Sequence, residues 1–184
     1  MATIQLTKHK LKDGTEIILR HGVEDDAKTL VETVRTYVEQ NEGQVWEPGE
    51  FDKTEAEDRK WIRGMLDNPR ELLILAVAGE QIVGNIDFHA GTRRRTAHTG
   101  HFGMGILPEW RSRGLGTLLL GTLIEWARQV PDLEKLSLRV IASNERAIGL
   151  YRKHGFQQEG RGIREFRYSD GSYADDISMG LLIK

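Results

Sequence analysis

Gly105-Ile106-Leu107-Pro108-Glu109-Trp110-Arg111-Ser112-Arg113-Gly114-Leu115-Gly116-Thr117, followed at once by Leu118-Leu119-Leu120, decides the reading of this chain. An extended run from His101 to Leu107 reaches a proline, turns through a basic loop with two glycines, and enters a long apolar-periodic segment. Pro108 has no N–H for a sheet ladder, so a strand stops there. Gly114 and Gly116 lack a Cβ, which lets a ligand approach the backbone. The first turn of the helix that follows leaves N–H groups without intrahelical partners, and its dipole is positive at that end. Both features favour an anion, typically a phosphate, and Arg111 and Arg113 add charge at the same mouth.

Spacing separates this cradle from two others. A P-loop needs a Gly-Lys-Ser/Thr ending, which is absent, and the dinucleotide fingerprint needs a third glycine where Leu119 stands. What remains is Arg111-x-x-Gly114-x-Gly116, placed between an extended run and a helix.

Outward from this loop, the chain reads as a mixed α/β protein. Thr15 to Arg20 predicts a first strand after the Asp13-Gly14 turn. Ala27, Leu30, Val31, Val34 and Val38 recur at helical spacing behind the acidic Glu24-Asp25-Asp26, predicting a helix over 24–40. Thr54-Glu55-Ala56-Glu57 is a capping-box pattern that opens a second helix, closed by Asn68-Pro69. Strands are predicted over Leu72 to Ala78 and Gln81 to His89, around the Gly79-Glu80 turn, and a fourth over His98 to Leu107. After the helix that follows the loop come a strand over Leu136 to Ile141 and a helix capped by Ser143-Asn144. That helix ends at His154-Gly155, and two final strands flank Ser169-Asp170-Gly171. The expected sheet has seven strands, mixed and mostly antiparallel, with helices on both faces, in one domain over residues 1–184 with its core at about 15–182.

Composition narrows the function. The chain has 184 residues with a net charge of −2 and gives no global pull toward nucleic acid or an anionic membrane. The three arginines of Arg93-Arg94-Arg95 are not interleaved with aromatics and read as a solvated hairpin tip. No apolar run is long enough to span a bilayer and the first residues lack a signal-peptide core, so a cytoplasmic location is expected. With no cysteine there is no thiolate nucleophile or disulfide, and none of the six histidines pair at zinc-helix spacing, so no metal site is expected. Glu39, Glu42, Glu47, Glu50, Asp52, Glu55, Glu57 and Asp58 form an acidic run with two readings: a solvated surface, or a negative wall that draws in a cation.

The Arg111-x-x-Gly114-x-Gly116 loop resembles the pyrophosphate loop of the GNAT superfamily of N-acetyltransferases. A second block, Asn144-Glu145-Arg146-Ala147-Ile148-Gly149-Leu150-Tyr151-Arg152-Lys153-His154-Gly155-Phe156, resembles that family's Asn-x-x-Ala-x-x-x-Tyr-x-x-x-Gly-Phe segment. Element order is similar to the family's from about Thr15 to Leu182. The ending, Glu159-Gly160 through Asp170-Gly171-Ser172-Tyr173-x-Asp175, resembles prokaryotic branches acting on polyamines, amino acids or protein N-termini.

The resemblance implies acetyl-CoA as cosubstrate and direct acetyl transfer to a primary amine, expected to be small and cationic. Open alternatives are a protein N-terminal or lysine acceptor, or a CoA-binding sensor without turnover. It also implies a homodimer as one arrangement, since members are often dimers. Met104 and Ile106 would pair with the pantetheine amides, freed by a splay of the strand around Gly105. Backbone N–H groups of Ser112, Arg113, Gly114, Leu115, Gly116 and Thr117 would take the pyrophosphate, with Arg111 beside them and Asn144 touching from the neighbouring helix, which it also caps. Tyr151 would protonate the leaving sulfur, against the reading of a plain core aromatic. For the general base the candidates are His98 and His101 on the fourth strand and Asp87 and His89 on the third, with His101 and Asp87 carried forward.

Overall fold

The computed structural model describes residues 3–40 and 43–184. Eight strands form one sheet in the order β1-β2-β3-β4-β5-β6-β8-β7. They are β1 (Thr7–Lys10), β2 (Glu16–His21), β3 (Leu72–Ala78), β4 (Gln81–Ala90), β5 (Thr99–Ile106), β6 (Lys135–Ile141), β7 (Gln157–Arg167) and β8 (Tyr173–Leu182). Every neighbouring pair is antiparallel except β5 and β6. Helices α1 (Ala27–Glu39) and α2 (Glu55–Asp67) pack on one face, and α3 (Leu115–Gln129) and α4 (Glu145–Lys153) on the other.

The sequence-based count of seven strands is one short. Thr7-Lys8-His9-Lys10 is polar throughout and pairs with β2 through its backbone and an exposed Lys10–Glu16 ion pair, at the edge of the sheet. Such a strand carries no apolar alternation to read. β7, the first of the two strands expected around Ser169-Asp170-Gly171, begins as early as Gln157, in a largely exposed stretch that lacks such alternation too.

Elsewhere local signals act as read. Thr54 Oγ1 accepts from the Glu57 N–H at 3.3 Å and the Glu57 carboxylate accepts from the Thr54 N–H at 2.8 Å, closing the capping box of α2. Asn144 Oδ1 accepts from the Ala147 N–H at 3.2 Å at the start of α4. The acid-rich Glu24–Asp26 forms a 3-10 turn and the α-helix proper starts at Ala27.

The irregular feature that positions the site is a parting of β5 from β6. Their parallel ladder covers only Thr99, Gly100 and His101 against Lys135, Leu136 and Ser137. Beyond it, β5 stays paired with β4 as far as Ile106 and β6 stays paired with β8 as far as Ile141. Phe102, the first residue past the last pair, stacks edge-on with Tyr151 of α4 (5.8 Å) and Phe156 (5.6 Å), so aromatic bulk fills the vertex. The splay therefore exists but does not originate at Gly105, since the β4–β5 register runs without a shift through that residue. Gly105 has another reason to be glycine: a Cβ there would run into the ring of Tyr37 from α1.

Candidate functional site at the parting of two strands

Strand alternation sets what the gap is made of. The Leu107 N–H bonds to the Val83 carbonyl, and the Thr99 carbonyl accepts from the Gly91 N–H, so the odd-numbered residues of β5 turn their backbone toward β4. The even-numbered ones, Phe102, Met104 and Ile106, then turn their N–H and C=O groups into the gap. The Ile106 carbonyl accepts from Arg111 Nε at 3.0 Å, which fastens the arginine to the end of the strand.

The loop after β5 ends in backbone made for close approach. Ser112 has φ of 62° and Gly114 has φ of 97°, a left-handed conformation that costs little only for glycine. The first bond of α3 runs from the Leu118 N–H to the Gly114 carbonyl. Among the described residues, the six consecutive N–H groups from Ser112 to Thr117 have no acceptor. They are the orphan donors of a helix start, extended by a curled loop into a nest. A Cβ on Gly116 would stand 2.9 Å from Leu150 Cδ2 and 3.5 Å from Ile106 Cδ1, so a side chain there would close the passage between α3 and α4.

These features share one cavity of about 470 Å³. Its wall takes in Met104, Ile106, Arg111, Ser112, Gly114, Gly116, Thr117, Asn144 and Tyr151 of the residues expected from sequence. Arg113 and Leu115 are not on that wall: Arg113 bonds Asp13 at 3.0 Å, and Leu115 is buried in the core beneath the loop. Asp87 and His101 are not on it either.

Tyr151 is 7% exposed, and burial pushes its phenol up to about 12. No hydrogen bond engages its hydroxyl among the described residues. The phenol is therefore a protonated donor, available to whatever enters the cavity.

On the sheet face toward α1 and α2, Asn85, Asp87 and His89 follow one another by period two. His89 Nε2 lies 3.3 Å from Asp87 and Nδ1 lies 3.3 Å from Glu71. The hydrogen bond that Asp87 accepts chiefly, then the charges of Asp87 and Glu71, hold the His89 pKa above the ordinary value against partial burial. Both ring nitrogens of His89 thus lie against carboxylates. It anchors Asp87, whose carboxylate lies beside Gly103 of β5. His101 is exposed and lies cross-strand from His89. His98 precedes β5, where its carbonyl accepts from Glu134 and Lys135.

The acidic run resolves mainly into structural bonds. Glu39 accepts from the Gly49 N–H, Glu50 from the Glu47 N–H, and Glu57 from the Thr54 N–H. Glu55 pairs with Arg59, and buried Asp58 pairs with Lys53 at 2.6 Å. Glu47 reaches across to accept from the Ser169 N–H at 2.7 Å, tying this loop to the β7–β8 turn. Glu42 lies outside the described residues. The carboxylate that does face the cavity, Asp176 on β8, went unremarked in the sequence because only its burial and its partners distinguish it. Arg139, Arg146 and Lys12 also line the wall.

A family model described as "Acetyltransferase (GNAT) family" matches residues 27–156, well over half of the chain. The chain belongs to the acetyltransferase (GNAT) family. It is 26% identical over 166 residues to the L-amino acid N-acetyltransferase AaaT of Escherichia coli (strain K12), covering 90% of this chain and 97% of that one. It is 28% identical over 133 residues to the spermidine N(1)-acetyltransferase of Vibrio cholerae, covering 72% of this chain and 73% of that one. Among solved structures, the acetyltransferase of GNAT family from Streptococcus pneumoniae superposes with a TM-score of 0.87 at 28% identity, covering 90% of this chain and 99% of that one. Among the described residues no group of side chains is arranged to hold a metal ion, and no helix is long and apolar enough to cross a membrane.

Proposed function

We propose that this protein moves the acetyl group of acetyl-CoA to the primary amine of a small molecule that arrives as an ammonium ion. The observation that carries this reading is the row of six acceptor-free N–H groups, Ser112 to Thr117, at the mouth of a cavity that continues between two parted strands. A diphosphate fits the row: its oxygens accept from several N–H groups at once, and the helix end favours its charge. Arg111 and Lys12 add positive charge on the same wall. The gap-facing backbone of Met104 and Ile106 suits the amides of a pantetheine arm, which pair with a bare strand edge as a neighbouring strand would.

Acetyl-CoA supplies an activated acyl carbon and a thiolate leaving group. The chain supplies alignment and protons. Tyr151, kept protonated by burial, donates toward the leaving sulfur. Asp87, steadied by His89, and His101, exposed on the same face, are the two groups that can take the ammonium proton. Asn144 caps α4 and stands at the cavity wall against the Gly43 segment, where it can contact the cofactor.

A small acceptor is favoured over a protein by the loop that follows α1. Gly43, Gln44 and Val45 line the cavity, and the Glu47–Ser169 bond draws the loop across it. The test is thiol release from acetyl-CoA by purified protein across a panel of amino acids, polyamines and peptide amines. The reading expects turnover with a small amine and none with peptides. Protein that binds neither acetyl-CoA nor CoA contradicts it.

A further inference from the structure

We propose that Asp176 is the acceptor-binding carboxylate: its Oδ1 receives the ammonium group of the incoming amine. This rests on the acetyltransferase reading above and names the group that selects the substrate.

Asp176 is 4% exposed and lies on the cavity wall. Its Oδ2 accepts from Arg139 Nε at 2.7 Å, while its Oδ1 is buried with no hydrogen-bond partner among the described residues. A buried carboxylate oxygen without a donor is costly, and native proteins seldom keep one unless something fills it. The residue that carries this oxygen forms part of the cavity wall.

Charge points to a cation as the missing partner. Arg139 is shared, because its NH2 group also donates to Glu165 at 2.8 Å. Two carboxylates and one guanidinium leave this corner with an excess negative charge. At the loop end of the cavity stand Lys12, near Gly114, and Arg111, bonded to the Ile106 carbonyl. The cavity is thus polarised, with an anion-accepting end at the loop and a cation-accepting end at β8.

Placement agrees. Asp176 pairs with Ile141, the last residue of β6 before its turn into α4. Along β6, Leu136, Leu138 and Val140 belong to the core under α3 and α4, so Arg139 and Ile141 face the side of α1 and α2. Asp176, as the partner of Ile141, shares that side with Asp87 and His101, across the gap from them. The proposed counter-ion and the candidate proton acceptors thus share one side of the sheet. Asp176 also falls outside the segment matched by the family model, which ends at residue 156. A selectivity group is expected in such a less-shared part.

The experiment measures steady-state KM with spermidine and with L-lysine, and calorimetric binding of each to CoA-saturated protein, in wild type, Asp176→Asn and Arg139→Gln. Asp176→Asn keeps the shape and removes the charge; KM and Kd for the amine should rise about 10- to 100-fold while the Kd for CoA stays unchanged. Arg139 is half-exposed, so Arg139→Gln should fold; it keeps a donor to Oδ2 but removes the competing positive charge, and amine affinity should rise several-fold. A purely structural Asp176–Arg139 bridge predicts the opposite pattern: lower melting temperatures in both variants and no gain of affinity in Arg139→Gln. Unchanged amine binding in Asp176→Asn, or weakened binding in Arg139→Gln, overturns the assignment. Wild-type protein that binds CoA but neither amine overturns it as well, whereas loss of CoA binding itself would strike the acetyl-CoA reading.

Discussion

The two ends of the cavity are built from different materials. The loop end is backbone: acceptor-free N–H groups, a left-handed glycine, and a glycine whose missing side chain keeps the passage open. The β8 end is side chain: Asp176 with Arg139 and, behind it, Glu165, from three strands, with Arg139 37 residues before Asp176. A backbone site needs particular residue types at fixed short spacing, because only glycine tolerates the geometry. A side-chain site needs only that a sheet place the right groups side by side. The first kind constrains a short stretch of sequence; the second leaves almost no local trace.

That contrast can be tested, and the largest effect belongs to the loop end. Gly116→Glu puts a charged side chain against Leu150 and the diphosphate, so CoA binding should fall more than about 100-fold by calorimetry while the protein keeps its fold. Retained CoA affinity would mean that the loop is not the docking point.

Next is the donor between the two ends. Tyr151→Phe should lower kcat about 100-fold with little change in the affinity for CoA, because only the hydroxyl is lost and the ring packing with Phe102 and Phe156 remains. An unchanged kcat would return Tyr151 to the role of a plain core aromatic.

The proton acceptors should show smaller effects. Asp87→Asn and His101→Ala each probe one candidate, and the true base is the one whose loss lowers kcat about 10-fold or more and abolishes the rising acidic limb of the kcat/KM profile. Equal, small effects from both would place a water in that role.

Stability carries a further prediction at His89. Its folded pKa is raised by Asp87 first and Glu71 with it, so its ion pairs stabilise the fold fully below the unfolded value of roughly 6.5 and that contribution fades as pH rises through the folded value. Melting temperature should therefore decline over that window in wild type and run flatter in His89→Gln. The smallest effect is expected from Glu47→Ala, which releases the loop from Ser169; KM for a small amine should rise about threefold, as for one surface hydrogen bond.

The sequence was legible where chemistry is local. The capping box at Thr54 and Glu57, the Asn144 cap, the glycine-rich loop and the termination of β5 before Pro108 all follow from neighbours in the chain. Two readings failed for want of distant information, and one left open in the sequence was decided by it. β1 has no apolar pattern and exists only because β2 offers an edge. Gly105 looked like the cause of the splay, yet it makes room for Tyr37, a residue 68 positions earlier. The acidic run between Glu39 and Asp58 is largely taken up by caps, ion pairs and loop ties, while the carboxylate on the cavity wall is Asp176 on the far strand. Asp58 and Asp176 each pair one oxygen with a cation and bury the other without a partner; what separates them is that Asp176 lies on the cavity wall.

The central claim concerns the amides of Ser112 to Thr117, and backbone NMR reads them directly. On titration of isotope-labelled protein with CoA, the amide resonances of Gly114, Leu115, Gly116 and Thr117 should show the largest downfield proton shifts in the spectrum, as expected for N–H groups that gain phosphate acceptors. If those resonances stay in place while CoA binds, the diphosphate docks elsewhere and the account is wrong.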